Sequence, residues 1–367
     1  MQTHNASDLY LTCGYKPAVR TSKELIPLSD SPMTSESVRE VLGSILTTRQ
    51  RRDFETHNEL NTSLDMGKNG RFRINVMQQR QEPALVIRRI VSDIPSFEDL
   101  RLPKVIEKLS MERRGLILVT GMTGSGKSTT LAAMVDYRNM NEAGHIITIE
   151  DPIEYFHEHK QSIITQREVG VDTESFYTAM KNSLRQRPDV ILVGEIRDRE
   201  VMEQALTISE TGHLCLATIH TNNSYQAIER IVNLFPEEFH NQIRLNLSMN
   251  LRAIVSQRLV PSTQGGLVPA LEILLNQGLI KELIESGQVT KIREVMEQNV
   301  SQGMCTFDQS LLALFAEGLV TEDLVMSQAD QPSDMSIKIK QLKLKAAGEG
   351  GGDGFSTMDT SILSFSD

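Results

Sequence analysis

Cysteine is scarce: only Cys13, Cys215 and Cys305 occur in 367 residues, far apart and without any CxxC spacing. That excludes a disulfide framework and a zinc ribbon, and it fits a reducing compartment. Aromatic residues make up 5% of the chain, and 38 Lys and Arg face 48 Asp and Glu, for a formal net charge of −10. Direct nucleic-acid binding needs clustered cations and stacking platforms, so it is not expected. Long apolar runs are missing too. Stretches such as 115–119 and 190–193 fall far short of the roughly 20 residues that cross a bilayer. The opening MQTHNASDLYLTCGYKPAVR has no basic region followed by an apolar run, so no secretion leader is expected. Any membrane contact is expected to be peripheral.

What remains, 39% apolar and 23% charged residues, is the balance of a soluble globular chain. At about 150 residues per domain, the length predicts two or three domains. Residues 8–12 (DLYLT) and 70–76 (GRFRINV) alternate as strands do, 85–91 is a further strand candidate, and 35–49 carries Val38, Val41, Leu42, Ile45 and Leu46 at helical spacing. This predicts a small α+β domain over residues 1–102, closed by the proline-punctuated linker SDIPSFEDLRLPK. After Pro103 strands and helices alternate: strands at 116–120, 146–150, 190–193 and 214–219, helices at 126–140, 176–185, 201–211 and 225–233. Such alternation predicts an α/β core, a parallel sheet covered on both faces. Residues 237–345 read mostly as helix, with Gly278, Gly287, Gly303 and Gly318 between helices, so a helical lobe completes a second domain over 103–345. The last stretch, 346–367, has no basic residue and many glycines, which predicts a flexible acidic tail. Its Phe355, Ile362, Leu363 and Phe365 leave docking on a partner open.

One segment carries a specific chemistry. Residues 121–128 read GMTGSGKS, the G-x-x-x-x-G-K-[ST] pattern, placed after a predicted strand and at the start of a predicted helix. Gly121, Gly124 and Gly126, with Thr123 and Ser125 between them, allow successive amides to point inward, and the helix N-terminus adds positive partial charge. A triphosphate such as that of ATP fits this concavity. Lys127 reaches β and γ oxygens as a point charge, and the Ser128 hydroxyl can take one place in the octahedral shell of Mg²⁺. Thr129 is either a further phosphate contact or simply the next helical residue.

Acids stand at two more strand ends, where ligands of open α/β sheets bind. IITIEDPIEY supplies Glu150, Asp151 and Glu154; PDVILVGEIRD supplies Glu195 at the position of a metal-linked acid. His220, in LATIHTN, ends a third strand and is placed to sense a γ-phosphate. His157 and His159 form an HxH pair without further ligand spacing and read as structural. Arg71 and Arg73 alternate onto one strand face, either as solvated charges or as guanidiniums that stabilise a transferring phosphoryl group.

In order, GMTGSGKST, TIEDPIEY, RQRPDVILVGEIRD and GHLCLATIHTNN resemble the Walker A, Asp box, Walker B and His box of the type II/IV secretion superfamily of hexameric ATPases. They look most like the type IV pilus retraction ATPases, over about residues 5–340. The resemblance implies an N-terminal PAS-like domain joined to a RecA-like P-loop domain, assembly as a homohexamer, and Mg²⁺-dependent ATP hydrolysis. It further implies work on an inner-membrane pilus platform protein beside a principal retraction ATPase, from the cytoplasmic side and only peripheral to the membrane. By motif, Lys127 and Ser128 hold phosphate and Mg²⁺, Glu154 is the catalytic glutamate, Glu195 the Walker B acid, and His220 closes on the γ-phosphate. Arginines of the N-terminal domain reach the phosphates in related motors, which makes Arg71, Arg73 and Arg88 the candidates here. Met122 stands where the family usually has proline, and LLNQGLIKELIES lacks the AIRNLI-like motif of the principal retraction ATPase. Extension and secretion ATPases of the superfamily, the alternative, usually carry a tetracysteine zinc element that this chain lacks. A non-catalytic nucleotide-binding adaptor ring is the other.

Overall fold

The computed structural model describes residues 1–4, 6–21, 24–67, 70–90 and 93–348. The chain divides into two compact units: Met1–Asp93 together with Glu154–His157 and Gly170–Asp172, and the remainder from Ile94 onward.

In the first unit six strands pair antiparallel in the order β3-β2-β1-β6-β5-β4, with β1 at Asp8–Thr12, β2 at Ala18–Arg20, β3 at Leu25–Pro27, β4 at Glu59–Asp65, β5 at Arg71–Gln79 and β6 at Glu82–Arg89. The helix expected over 35–49 is two helices, α1 (Ser35–Ile45) and α2 (Thr48–His57). The break has a local cause. Thr34 with Ser37, and Thr47 with Gln50, each form a capping box, so Thr47 opens a new helix where the apolar period alone suggested continuation. Leu11, Val38, Leu42, Leu46, Ile74, Val76 and Leu85 fill the core of this unit.

The second unit is built on a seven-stranded sheet in the order β13-β12-β7-β11-β10-β8-β9. Its strands are β7 (Gly115–Thr120), β8 (His145–Glu150), β9 (Ile163–Glu168), β10 (Val190–Val193), β11 (Leu214–Ile219), β12 (Leu251–Pro261) and β13 (Leu267–Leu275). All pairs are parallel except β12 with β13. β7, β10 and β11 are buried at every residue, which is why they read as continuous apolar runs. Ile117 and Val119 face α3 (Lys104–Ser110) and α4 (Lys127–Asn141). Leu116 and Leu118 face the opposite cluster, to which α5 (Phe176–Ser183), α6 (Arg199–Glu210), α7 (Ser224–Asn233) and α8 (His240–Asn250) contribute.

The mostly helical reading of 237–345 needs correction, because β12 and β13 lie inside it. Fully buried strands show no polar alternation, so periodicity does not separate them from buried helix. Pairing with β7 and with each other settled the matter in favour of sheet. Beyond them α9 (Leu279–Glu285), α10 (Ile292–Gln298), α11 (Phe307–Ala316), α12 (Glu322–Gln328) and α13 (Pro332–Gly348) are helical. The last three share a core with Val260, Val268 and Ala270 of the β12–β13 hairpin. α13 continues through Gly348, past the start expected for the acidic tail, and the rest of that tail, 349–367, lies outside the described residues.

Candidate functional site

β7 ends at Thr120, and the chain turns through residues 121–126 into α4. Two glycines are required by the space around them. A Cβ on Gly121 would fall on the Gln257 carbonyl oxygen and on Ser125 Oγ; one on Gly126, at φ +86°, would meet Gln257 Nε2 at 2.8 Å. Gln257 is held there by Thr130, whose hydroxyl donates to its Oε1 at 2.8 Å. Lys127 is only 8% exposed. Its ammonium lies across the loop, donating to the carbonyls of Gly121 and Met122, each at 2.9 Å. Ser125 Oγ is buried and has no hydrogen-bond partner among the described residues.

A lysine folded over a glycine loop, an orphaned hydroxyl and the N-terminus of α4 together make a donor-rich concavity that fits phosphate oxygens. Ser128 and Thr129 are half-buried in that first turn. The Ser128 hydroxyl is a hard oxygen donor of the kind Mg²⁺ takes, as is the carboxylate of Glu195 at the end of β10. A cavity of about 230 Å³ adjoins Gly126 and Thr129, lined by Leu100, Leu259, Val268 and Leu319 among others. A cleft of about 520 Å³ is shared by Gly121, Met122, His220, Asn222 and Arg230. The glycine loop and the His220 loop thus open on the same space.

Glu195 leaves β10 through Gly194, whose N–H donates to Ile149 O at 2.8 Å; a Cβ at Gly194 would come within 3.3 Å of Glu150 Cα and Ile149 O. Ile196 N–H donates to Thr218 O at 2.8 Å, so the segment is pinned from both neighbouring strands. The Glu195 carboxylate is engaged at both oxygens: His220 Nε2 lies 3.1 Å from Oε1 and Arg197 Nε 2.7 Å from Oε2. Arg197 also reaches Asp151 at 3.4 Å, and its hydrogen bond to Glu195 raises its pKa above the ordinary value. Glu150 accepts from Thr148 Oγ1 at 2.7 Å. His159 accepts the Ile164 N–H at 3.0 Å.

Glu154 belongs to the first unit and is exposed. So do the three arginines. Arg73 and Arg88 are direct cross-strand partners on β5 and β6, and Arg88 is in turn opposite Asp8 of β1. Arg88 donates to Asp8 at 2.8 Å, a bond that raises its pKa, with smaller contributions that include the charge of Glu154. Arg71 donates to Ser63 Oγ at 3.2 Å, while its buried Nε has no partner among the described residues. Like charges directly opposite on a sheet face are destabilising, and here the Asp8 carboxylate offsets that of Arg88.

Several site residues were not picked out in the sequence. Arg197 could have been: it follows Glu195 by two residues, and opposite charges at that spacing on an extended segment share a face. Gln257 gave no signal, because its strand was read as helix.

The family model described as Type II/IV secretion system protein matches residues 52–311. The Type IV pilus ATPase PilU of Pseudomonas aeruginosa is 46% identical over 93% of this chain and 89% of that protein. The chain belongs to the type IV pilus retraction ATPase family. PilT of the same organism, described as a retraction ATPase, is 40% identical over 90% of this chain and 96% of its own length. A crystal structure of the pilus retraction motor PilT with bound ADP superposes with a TM-score of 0.86 at 41% identity, covering 92% of this chain and 96% of that one. This family member is therefore an ATP hydrolase with a RecA-like P-loop core, an antiparallel N-terminal sheet unit and a C-terminal group of helices. Among the described residues no helix is long and apolar enough to cross a membrane.

Proposed function

We propose that this ATPase works as a homohexameric, Mg²⁺-dependent motor that depolymerises type IV pili as an accessory to a principal retraction ATPase. It would act from the cytoplasm on a pilus platform protein of the inner membrane, touching that membrane only peripherally. The reading rests above all on one arrangement: a glycine loop and a histidine loop that open on one cleft, with Glu195 Oε1 3.1 Å from Nε2 of that histidine.

In this reading residues 121–129 wrap the phosphates, Lys127 turns from its own loop carbonyls to β and γ oxygens, and the cavity of about 230 Å³ beside Thr129 receives the base. Ser128 and Glu195 would hold Mg²⁺, which would supply positive charge to the phosphates. Release of Glu195 by His220 would let the imidazole turn toward the γ-phosphate, and release by Arg197 would leave the guanidinium to Asp151. Glu154 orients the attacking water as the general base. Arg71, Arg73 and Arg88 supply positive charge from the first unit, read here as the PAS-like module over residues 1–102, with 103–345 as the motor domain. The unpartnered Arg71 Nε and the Arg73–Arg88 juxtaposition support an anion as their partner.

Phosphate release from ATP by the assembled protein should require Mg²⁺ and cease in excess EDTA. Tight nucleotide binding without phosphate release in Mg²⁺ would replace the motor with an adaptor ring.

A further inference from the structure

One buried carboxylate outside the nucleotide loops is placed to control them. Glu272, on β13, is 5% exposed and lies in a cross-strand row with Ser256 of β12, Thr120 of β7 and Ile219 of β11. This row is the floor from which both functional loops depart: Gly121 follows Thr120, and His220 follows Ile219. Three of its members are polar although they are in the core. Thr120 Oγ1 donates to Ser256 Oγ at 3.0 Å, and Ser256 Oγ lies 3.5 Å from Glu272 Oε1. The same Oε1 accepts both the backbone N–H and the hydroxyl of Ser224, each at 2.7 Å. Ser224 is the first residue of α7, where the four-residue loop 220–223 ends.

A polar row through a sheet interior costs desolvation free energy that an apolar row would not. Burial raises the pKa of Glu272, and the two bonds from Ser224 oppose that rise. Apolar side chains would serve the fold better at 272 and 256. What the carboxylate does contribute is a fixed end for the His220 loop. One end is held by β11, the other by the two bonds that Glu272 accepts from Ser224 at the start of α7, and the row joins that anchor to Thr120 at the root of the phosphate loop.

We propose that Glu272 is a positioning residue for ATP hydrolysis: it holds the α7 end of the His220 loop in register with the phosphate loop, and so sets the geometry of His220 for the γ-phosphate. The proposal rests on the reading of His220 given above. Displacing a reacting group by about 1 Å costs on the order of a hundredfold in rate, so the effect belongs in kcat. Gln keeps a carbonyl oxygen that can accept from Ser224, whereas Leu keeps the bulk and removes the acceptor.

The test is a double-mutant cycle on the assembled full-length ATPase, with Glu272→Leu, Glu272→Gln, His220→Ala and the Glu272→Leu/His220→Ala pair. Glu272→Leu should lower kcat by on the order of tenfold to a hundredfold and leave the KM for ATP within about threefold. Glu272→Gln should recover most of the loss. In the His220→Ala background Glu272→Leu should cost little more, since its effect passes through His220. Equal losses in both backgrounds, or a fall in kcat that Gln does not relieve, would overturn the proposal. If His220→Ala alone turned over at the wild-type rate, the reading of His220 itself would fail instead. Should Glu272→Leu not assemble, Ser224→Ala, which removes the hydroxyl donor but keeps the N–H, must show a smaller loss of the same kind. A wild-type kcat for Ser224→Ala together with Glu272→Gln behaving as an inactive variant would also contradict it.

Discussion

The second unit holds its candidate groups at strand ends, whereas the first holds its candidate arginines on the face of a sheet. β7, β10 and β11 are buried on both sides, so most of their side chains are committed to packing, and the groups offered to a ligand begin where each strand stops, at Gly121, Gly194 and His220. In β5 the residues alternate, Phe72, Ile74 and Val76 turned to the core while Arg71 and Arg73 stay on the other face. The donors of the second unit are thus fixed by backbone and by close approach, as at Gly126 against Gln257, while those of the first are long side chains on a sheet. A rigid cradle and an adaptable cationic face suit different tasks: retaining a nucleotide in one case, responding to its charge in the other.

The contrast can be broken by substitution on each side. Lys127→Ala removes the one ammonium that the glycine loop is built around, and ATP turnover should fall by on the order of 10²–10³-fold; a loss under about threefold would make the loop a structural turn. Arg73→Ala should cost roughly tenfold, below the 10³–10⁵ attributed to a lone arginine finger, because Arg71 and Arg88 stay on the same unit. Its signature should be a change in kcat with nucleotide affinity little altered. A wild-type rate in the assembled protein would take Arg73 out of the reaction.

The strand ends were legible because two signals coincided there, an apolar run that stops abruptly and a residue pattern with a known mechanism. Residues 121–128, Glu195 and His220 all had both. The sheet face was half legible: alternation in GRFRINV put Arg71 and Arg73 together, yet the pairing of Arg73 with Arg88 depends on hairpin register, which local sequence leaves open. Gln257 and Glu272 were hidden for another reason. They stand on largely buried strands without polar alternation, which resemble buried helix, and their partners, Thr130 and Ser224, are far away in sequence. Similarly, the single helical period over 35–49 concealed Thr47, whose capping box starts a second helix.

The chemistry of the second unit requires that the glycine loop captures ATP. Isothermal titration of the folded protein with Mg²⁺·ATP measures this directly. Saturable uptake approaching one nucleotide per chain, lost in Lys127→Ala with the fold intact, is the predicted result; no heat of binding from correctly folded wild-type protein would contradict it.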